Sequence, residues 1–167
     1  MSSKEQEFFN ACYENDLEKV KELSNQIDDI NWGNPNGSDW TGLHISCYEG
    51  NKEIVEYLIS HPKINVNKED KNGRTPFYTV CANGKDEIVK ILFASGREID
   101  TTKKTNPGND YWNNQTAAEI ARYGKEQIAK LVDEYAKNPM EIILRLRNEM
   151  SKYLLNCSNF NKIICKN

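Results

Sequence analysis

The 167-residue sequence lacks most features that mark an enzyme, a membrane protein or a nucleic-acid binder. No apolar run approaches the ~20 residues that a membrane-spanning helix needs. Neither sign of charge dominates. Twenty-two Lys and Arg stand against 25 Asp and Glu, a formal net charge of −3, and nothing reads as a polybasic nucleic-acid surface. The opening MSSKEQEFFNACYENDLEK is charged too early for the apolar core of a secretory signal. The expected compartment is therefore the cytoplasm, with the nucleus as the alternative. Two glycosylation sequons, Asn36-Gly37-Ser38 and Asn114-Gln115-Thr116, then read as accidental. The five cysteines are an odd count at wide spacing without a C-x-x-C, which fits reduced thiols better than a disulfide framework.

The chemistry-bearing motifs are also missing. There is no G-x-x-x-x-G-K-[ST] phosphate loop, no G-x-G-x-x-G, no G-x-S-x-G and no H-E-x-x-H. His44 and Cys47 stand close together, but a zinc site would need two further ligands within ~2.3 Å. The acidic pairs Asp28-Asp29 and Glu69-Asp70 sit among turn residues and read as solvated loop charges. No catalytic residue, metal or cofactor is expected, and neither nucleic acid nor membrane is expected as a partner.

What the sequence does contain is repetition. Thr41-Gly42-Leu43-His44-Ile45-Ser46 returns as Thr75-Pro76-Phe77-Tyr78-Thr79-Val80 and again as Thr116-Ala117-Ala118-Glu119-Ile120-Ala121. The second interval is longer than the first by about seven residues. Behind the first two copies the register continues through Gly50 and Gly84, Ile54-Val55 and Ile88-Val89, and Leu58 and Leu92. An N-terminal copy aligns through Phe8, Ala11, Val20 and Leu23. The last copy carries Gly124 one residue early, and Ile128 and Leu131 follow it. Cys12, Cys47 and Cys81 share one slot, with Arg122 in the fourth copy.

Each unit has a direct physical reading. A short helix follows the Thr, and Gly50 ends it by taking the left-handed conformation. Asn51 is placed to cap a second helix, where Ile54, Val55, Leu58 and Ile59 form one apolar face. The tail HPKINVNKEDKNG is too polar for a helix, and Asn72-Gly73 signals a tight turn, so an extended hairpin is expected there. A single unit cannot bury its own apolar faces, so the units must stack. Stacked helices lie roughly 10 Å apart, whereas a disulfide needs Cα atoms within ~7 Å. The three aligned thiols are expected to be free, buried and arranged in a row.

These units resemble the ankyrin repeat, whose period is near 33 residues with a T-P-L-H-x-A signature. Asp70–Asp100 is the best match, through Asp70, Gly73, Thr75-Pro76, Gly84, Ile88-Val89, Leu92 and Gly96. The resemblance covers residues 4 to about 135. It implies an all-α solenoid of four repeats, at about 4–35, 36–69, 70–102 and 103–137, made of helix-turn-helix units with β-hairpin loops. It also implies that His44 ties loop and helix backbone together. By the same resemblance the chain is a non-enzymatic protein–protein interaction module. Hairpin tips and the ends of the first helices line the concave, partner-binding face. Carried over by register, the candidate partner-binding residues are Tyr13, Trp40, Tyr48, Lys71, Arg74, Tyr111, Trp112 and Tyr123. Glu14, Glu49, Asn72, Ala82, Asn83, Asn113 and Gln115 lie beside them. Tyr and Trp dominate binding hot spots, because they bury large area at little rotamer cost and keep a polar tip.

The C-terminal segment 138–167 reads as a further helix and tail. Asn138 is placed to cap it, with Pro139 at the first helical position. Ile143, Leu146, Met150 and Tyr153/Leu154 form a stripe at helical spacing. A solenoid end needs covering, so this is expected to be a capping helix on a monomer. The alternatives are self-association through this helix, or a regulatory subunit or effector whose activity resides in the C-terminal segment.

Overall fold

Pairs of antiparallel helices, offset by one repeat each time, build the molecule. The computed structural model describes residues 3–108 and 113–164, with side chains described as far as Lys152. The pairs are α1 (Lys4–Tyr13) with α2 (Leu17–Ser24), α3 (Gly42–Glu49) with α4 (Lys52–Ser60), α5 (Pro76–Ala82) with α6 (Asp86–Ala94), and α7 (Ala117–Ala121) with α8 (Glu126–Lys137). The inner helices α1, α3, α5 and α7 pack in one row, and the outer helices α2, α4, α6 and α8 in a second. A long α9 (Pro139–Ile164) follows. Among the described residues no helix is long and apolar enough to cross a membrane.

The threonines explain where the inner helices begin. The side-chain oxygens of Thr41, Thr75 and Thr116 accept from the amides of His44 (3.3 Å), Tyr78 (3.1 Å) and Glu119 (3.2 Å). Each satisfies one of the orphan donors of a helix N-terminus. The left-handed residue explains where α3 and α5 stop. Gly50 has φ 89° and Gly84 φ 66°, as the register requires, and a β-carbon there would cost about 1 kcal/mol or more. In the first repeat Asn15 holds the same slot at φ 60°, and Asn is among the few other residues that tolerate it. This explains how a copy without the glycine keeps the fold.

Asn51 departs from the expected cap. It makes no side-chain bond to its own helix. Its Nδ2 instead donates to the Cys12 carbonyl of the preceding repeat at 2.9 Å. Lys85 fills the equivalent slot one repeat later and donates from Nζ to the Glu49 carbonyl at 3.3 Å. The last carbonyls of an inner helix lack intrahelical donors, so this slot is drawn to them and joins repeats rather than capping helices.

The hairpins are turns rather than strands. Among the described residues no strand forms, and the one antiparallel bridge pairs Asn34 with Trp40. The equivalent closures are Asp70 N–H to Arg74 C=O at 2.9 Å and Thr105 N–H to Gln115 C=O at 3.1 Å. They bracket residues 35–39, 71–73 and 106–114, so the long interval in the sequence resides in the last hairpin. The expected extension is thus absent from the stems, because their Asn, Asp and Gly residues satisfy the backbone locally.

The core runs through the stack as one body. Cys12, Cys47 and Cys81 are free and buried in it. Burial pushes the Cys12 thiol up to about 12 and raises those of Cys47 and Cys81 strongly, so all three stay protonated and inert near neutrality. The fourth repeat breaks the pattern at its outer end. Arg122 replaces the cysteine, and Asp133 takes the slot that Ile59 and Phe93 hold in their repeats. The two form an ion pair in which one guanidinium nitrogen, NH2, donates to both carboxylate oxygens at 3.2 and 3.0 Å. A polar terminal face of this kind suits the end of a stack.

The C-terminal helix begins as the sequence suggests. The Glu141 amide donates to Asn138 Oδ1 at 3.4 Å, and Asn138 Nδ2 donates to Glu141 Oε2 at 2.7 Å. Ile142, Ile143 and Leu146 are buried and Met150 is partly so; Tyr153 and Leu154 lie beyond the described side chains. The helix packs on α8 and reaches back to α6, so it covers the outer row of the last two repeats. Arg147 fixes that placement, donating from Nε to Ala94 C=O at 2.7 Å and from NH2 to Ser95 C=O at 3.1 Å, at the C-terminus of α6. A cation there also meets the negative end of the helix dipole.

Candidate functional site

The site is built by the inner helices and the hairpins that precede them. Its frame is a relay between hairpins two and three. His44 is fully buried in α3. Its Nδ1 lies 3.2 Å from the Thr41 amide, which can only donate, so Nδ1 is an acceptor and Nε2 carries the proton. Nε2 then donates to the Arg74 carbonyl at 3.0 Å, in the next repeat. The structural role implied for His44 is what the geometry has. Tyr78 and Glu119 occupy the same slot further on; the amide and hydroxyl of Thr116 hold the Glu119 carboxyl below the usual carboxylate range.

His44 makes stability depend on pH. Burial, only partly opposed by the Arg74 carbonyl, lowers its pKa from 6.5. A histidine held neutral in the fold contributes stability that is fully present above the unfolded value near 6.5. That contribution is lost as pH falls from there toward the lower folded value. Denaturant melts at pH 7.5, 6.5 and 5.5 should show stability falling by up to ~1.4 kcal/mol per pH unit. In His44→Gln that slope should flatten between pH 7 and 5.5. An unchanged slope in the variant would assign the effect to other groups.

Asp70 is the residue that sequence reasoning misplaced. It is buried rather than solvated. Oδ1 accepts from the amides of Asn72 and Arg74, both at 2.8 Å, and Oδ2 accepts from Trp40 Nε1 at 3.0 Å. Its neighbour Glu69 does face solvent and pairs with Lys103 at 2.8 Å. The Asp-x-Asn-Gly spacing was the available signal, because an Asp before a tight turn bonds the amides that follow it.

Trp40 therefore belongs to this frame as well as to the surface. It is half-buried, stacks on His44 with ring centroids 6.2 Å apart, and lies 5.3 Å from the ring of Tyr48. Its polar tip is spent on Asp70. Lys71 sits at the hairpin tip between Asp39 Oδ1, at 3.4 Å, and the Pro35 carbonyl, at 3.2 Å. Arg74 is different. Its backbone is held at both ends, yet its Nε is buried and finds no hydrogen-bond partner.

Tyr13, Tyr48 and Tyr123 form the outermost layer. They are 57%, 42% and 46% exposed and stand at equivalent positions at the ends of the first, second and fourth inner helices. The third repeat has Ala82 there. Near Tyr123 a shallow hollow of about 570 Å³ is lined by Asn113, Asn114, Gln115, Glu119 and Arg122. The predicted site residues Tyr111 and Trp112 lie outside the described residues. No group of three His, Cys, Asp or Glu able to hold a metal occurs among the described residues.

The family model for ankyrin repeats, in three copies, matches residues 8–105, and the chain belongs to the ankyrin-repeat family. Similar stretches occur in the transient receptor potential cation channel subfamily A member 1 of Homo sapiens, 33% identical over 142 residues, 83% of this chain. They also occur in the fem-1 homolog CG6966 of Drosophila melanogaster, 31% identical over 111 residues and 59% of the chain. Delta-latroinsectotoxin-Lt1a of Latrodectus tredecimguttatus is 32% identical over 71 residues, 41% of the chain. The chain spans only 11%, 16% and 6% of these proteins. Ankyrin repeats in general mediate protein–protein interactions, and the fourth helix pair here lies beyond the matched copies.

Proposed function

We propose that the chain is a non-enzymatic module that binds a partner protein on the face formed by the inner helices and hairpins. The observation that carries this reading is the tyrosine row. Among the described residues, the exposed large hydrophobic side chains are Tyr13, Tyr48, Tyr123, Met140 and Leu144. All three aromatics among them fall in one repeat slot on one face. Singly scattered exposed rings need no explanation, but a register-locked set points to an interface. Trp40 packs against Tyr48 of that row, Lys71 and Arg74 stand on the next hairpin, and Tyr111 and Trp112 complete the proposed set. A monomer in the cytoplasm or nucleus fits this role.

The test is affinity for a partner recovered by proximity labelling and then purified. Tyr48→Ser and Tyr123→Ser should each weaken binding, and together by about thirtyfold or more, the effect of losing one true hot spot. Their melting temperatures should stay near wild type, because both rings are exposed. Lys90→Glu, on α6, should bind normally. Full affinity in the double tyrosine variant, with loss in Lys90→Glu, would move the interface to the outer helices.

The second reading, an activity residing in the C-terminal segment, draws on Met140 and Leu144. These are 63% and 55% exposed, one turn apart on α9. Met140→Ser with Leu144→Ser discriminates: the partner-binding reading expects no loss.

A further inference from the structure

We propose that the third repeat carries a two-part subsite for an acidic partner segment: a notch over Ala82 takes a large apolar side chain, and Arg74 takes a carboxylate. This rests on the concave-face reading above and specifies its chemistry.

The notch follows from register. The slot after Cys12, Cys47 and Arg122 holds Tyr13, Tyr48 and Tyr123, whereas the slot after Cys81 holds Ala82. Helix α5 lies between α3 and α7. The tyrosine row is therefore interrupted at one place, with an exposed ring on either side and a half-buried methyl at the floor. Neighbouring helices lie about 10 Å apart, so the missing ring leaves room for one large side chain between two aromatic walls.

The charge follows from Arg74. Its backbone amide donates to Asp70 Oδ1 at 2.8 Å and its carbonyl accepts from His44 at 3.0 Å, so the residue is fixed in place. Its side chain makes no hydrogen bond or ion pair with any described residue, and Nε is buried without an acceptor. The nearest carboxylate in sequence, Asp70, already serves Asn72, Arg74 N–H and Trp40. Lys71, by contrast, is matched by Asp39. Arg74 as a whole is only partly buried, so its remaining guanidinium N–H groups can donate to a partner carboxylate without first breaking an internal hydrogen bond.

The two parts fix a spacing. Arg74 precedes the N-cap of α5 and Ala82 ends it, which at 1.5 Å per residue separates them by roughly 12 Å. An extended segment covers that in three to four residues at ~3.3 Å each. The expected ligand carries Asp or Glu followed or preceded, three to four positions away, by Leu, Phe or Trp.

The probe is a random dodecapeptide library displayed on phage and selected on the immobilised full chain. Enriched peptides should share that acidic–apolar spacing. The best of them, synthesised and measured by fluorescence anisotropy, should bind Arg74→Gln and Ala82→Tyr at least tenfold more weakly. Tyr at this slot is compatible with the fold because three other repeats carry it, and a thermal melt verifies this. Exchanging the peptide's acid for its amide should weaken binding to the wild type but not to Arg74→Gln. This readout holds even if Ala82→Tyr melts early. The absence of enrichment, a consensus without the acid, or equal loss from the amide peptide in both proteins would each overturn the proposal. Peptides sensitive to Tyr48→Ser and Tyr123→Ser but not to Arg74→Gln or Ala82→Tyr overturn the notch and leave the concave face standing. Indifference to all four overturns both.

Discussion

Phe93→Ala is expected to destabilise the protein by about 4 kcal/mol, lowering its melting temperature by roughly 10 °C for a chain of this length. Phe93 is fully buried at the joint between the third and fourth repeats. Its ring stacks on Tyr135 of α8 with centroids 3.8 Å apart and planes within 3°. On its other side it meets Phe77 of α5 at 5.2 Å. Alanine removes both contacts and leaves a cavity walled by rigid rings that collapse poorly. The loss should also be uneven. In a stacked array each repeat is held mainly by its neighbours, so weakening one joint frees what lies beyond it. Hydrogen exchange should show amides of α7 and α8 losing protection while α3 and α4 keep theirs. Phe93→Leu, which preserves most of the volume, should cost far less. A uniform loss of protection along the chain would mean that α9, which bridges α6 and α8, couples the repeats into one unit.

Much of this architecture is legible in the sequence because repetition multiplies weak signals. One Thr before an apolar run is a poor helix marker, but Thr41, Thr75 and Thr116 in one register all proved to be N-caps. Gly50 and Gly84 were readable for the same reason, as were the free, buried thiols. What could not be read is contact that crosses from one repeat to the next. Asn51 looked like a cap because capping is the local use of Asn; its partner, the Cys12 carbonyl, is 39 residues away. The placement of α9 was half legible. Its stripe gave the buried face, yet nothing local says that Arg147 will find the carbonyls of Ala94 and Ser95, more than fifty residues earlier. Of the site, the exposed tyrosines were foreseen by register. Trp40 was foreseen as a surface residue, but its bond to Asp70 was not, since a buried carboxylate in a polar turn is invisible until its donors are known.

That carboxylate makes Asp70→Ala the second large effect, expected at about 3 kcal/mol. Three donors lose their acceptor at once: the amides of Asn72 and Arg74 and the indole N–H of Trp40. A buried donor left unsatisfied costs about 1–3 kcal/mol, and water entering the exposed hairpin relieves part of the sum. The damage should spread along a named route. Arg74 is held by Asp70 on its amide and by His44 on its carbonyl, so a loosened turn weakens the His44 relay and with it the seam between repeats two and three. Asp70→Asn should cost only about 1 kcal/mol. The preceding hairpin already uses Asn34 there, whose Oδ1 accepts from the Asn36 amide at 3.0 Å, so an amide keeps the turn and forfeits mainly the charge. A double-mutant cycle with Trp40→Phe isolates the interrepeat bond. Phenylalanine keeps the ring against His44 and Tyr48 but cannot donate to Asp70, so the two changes should be non-additive by 1 kcal/mol or more. Urea denaturation of the four proteins measures this directly. Additive losses would mean that the carboxylate serves its own turn alone and that Trp40 is held by stacking. An Asp70→Ala variant within 0.5 kcal/mol of wild type would mean that the hairpins contribute nothing to holding the repeats together.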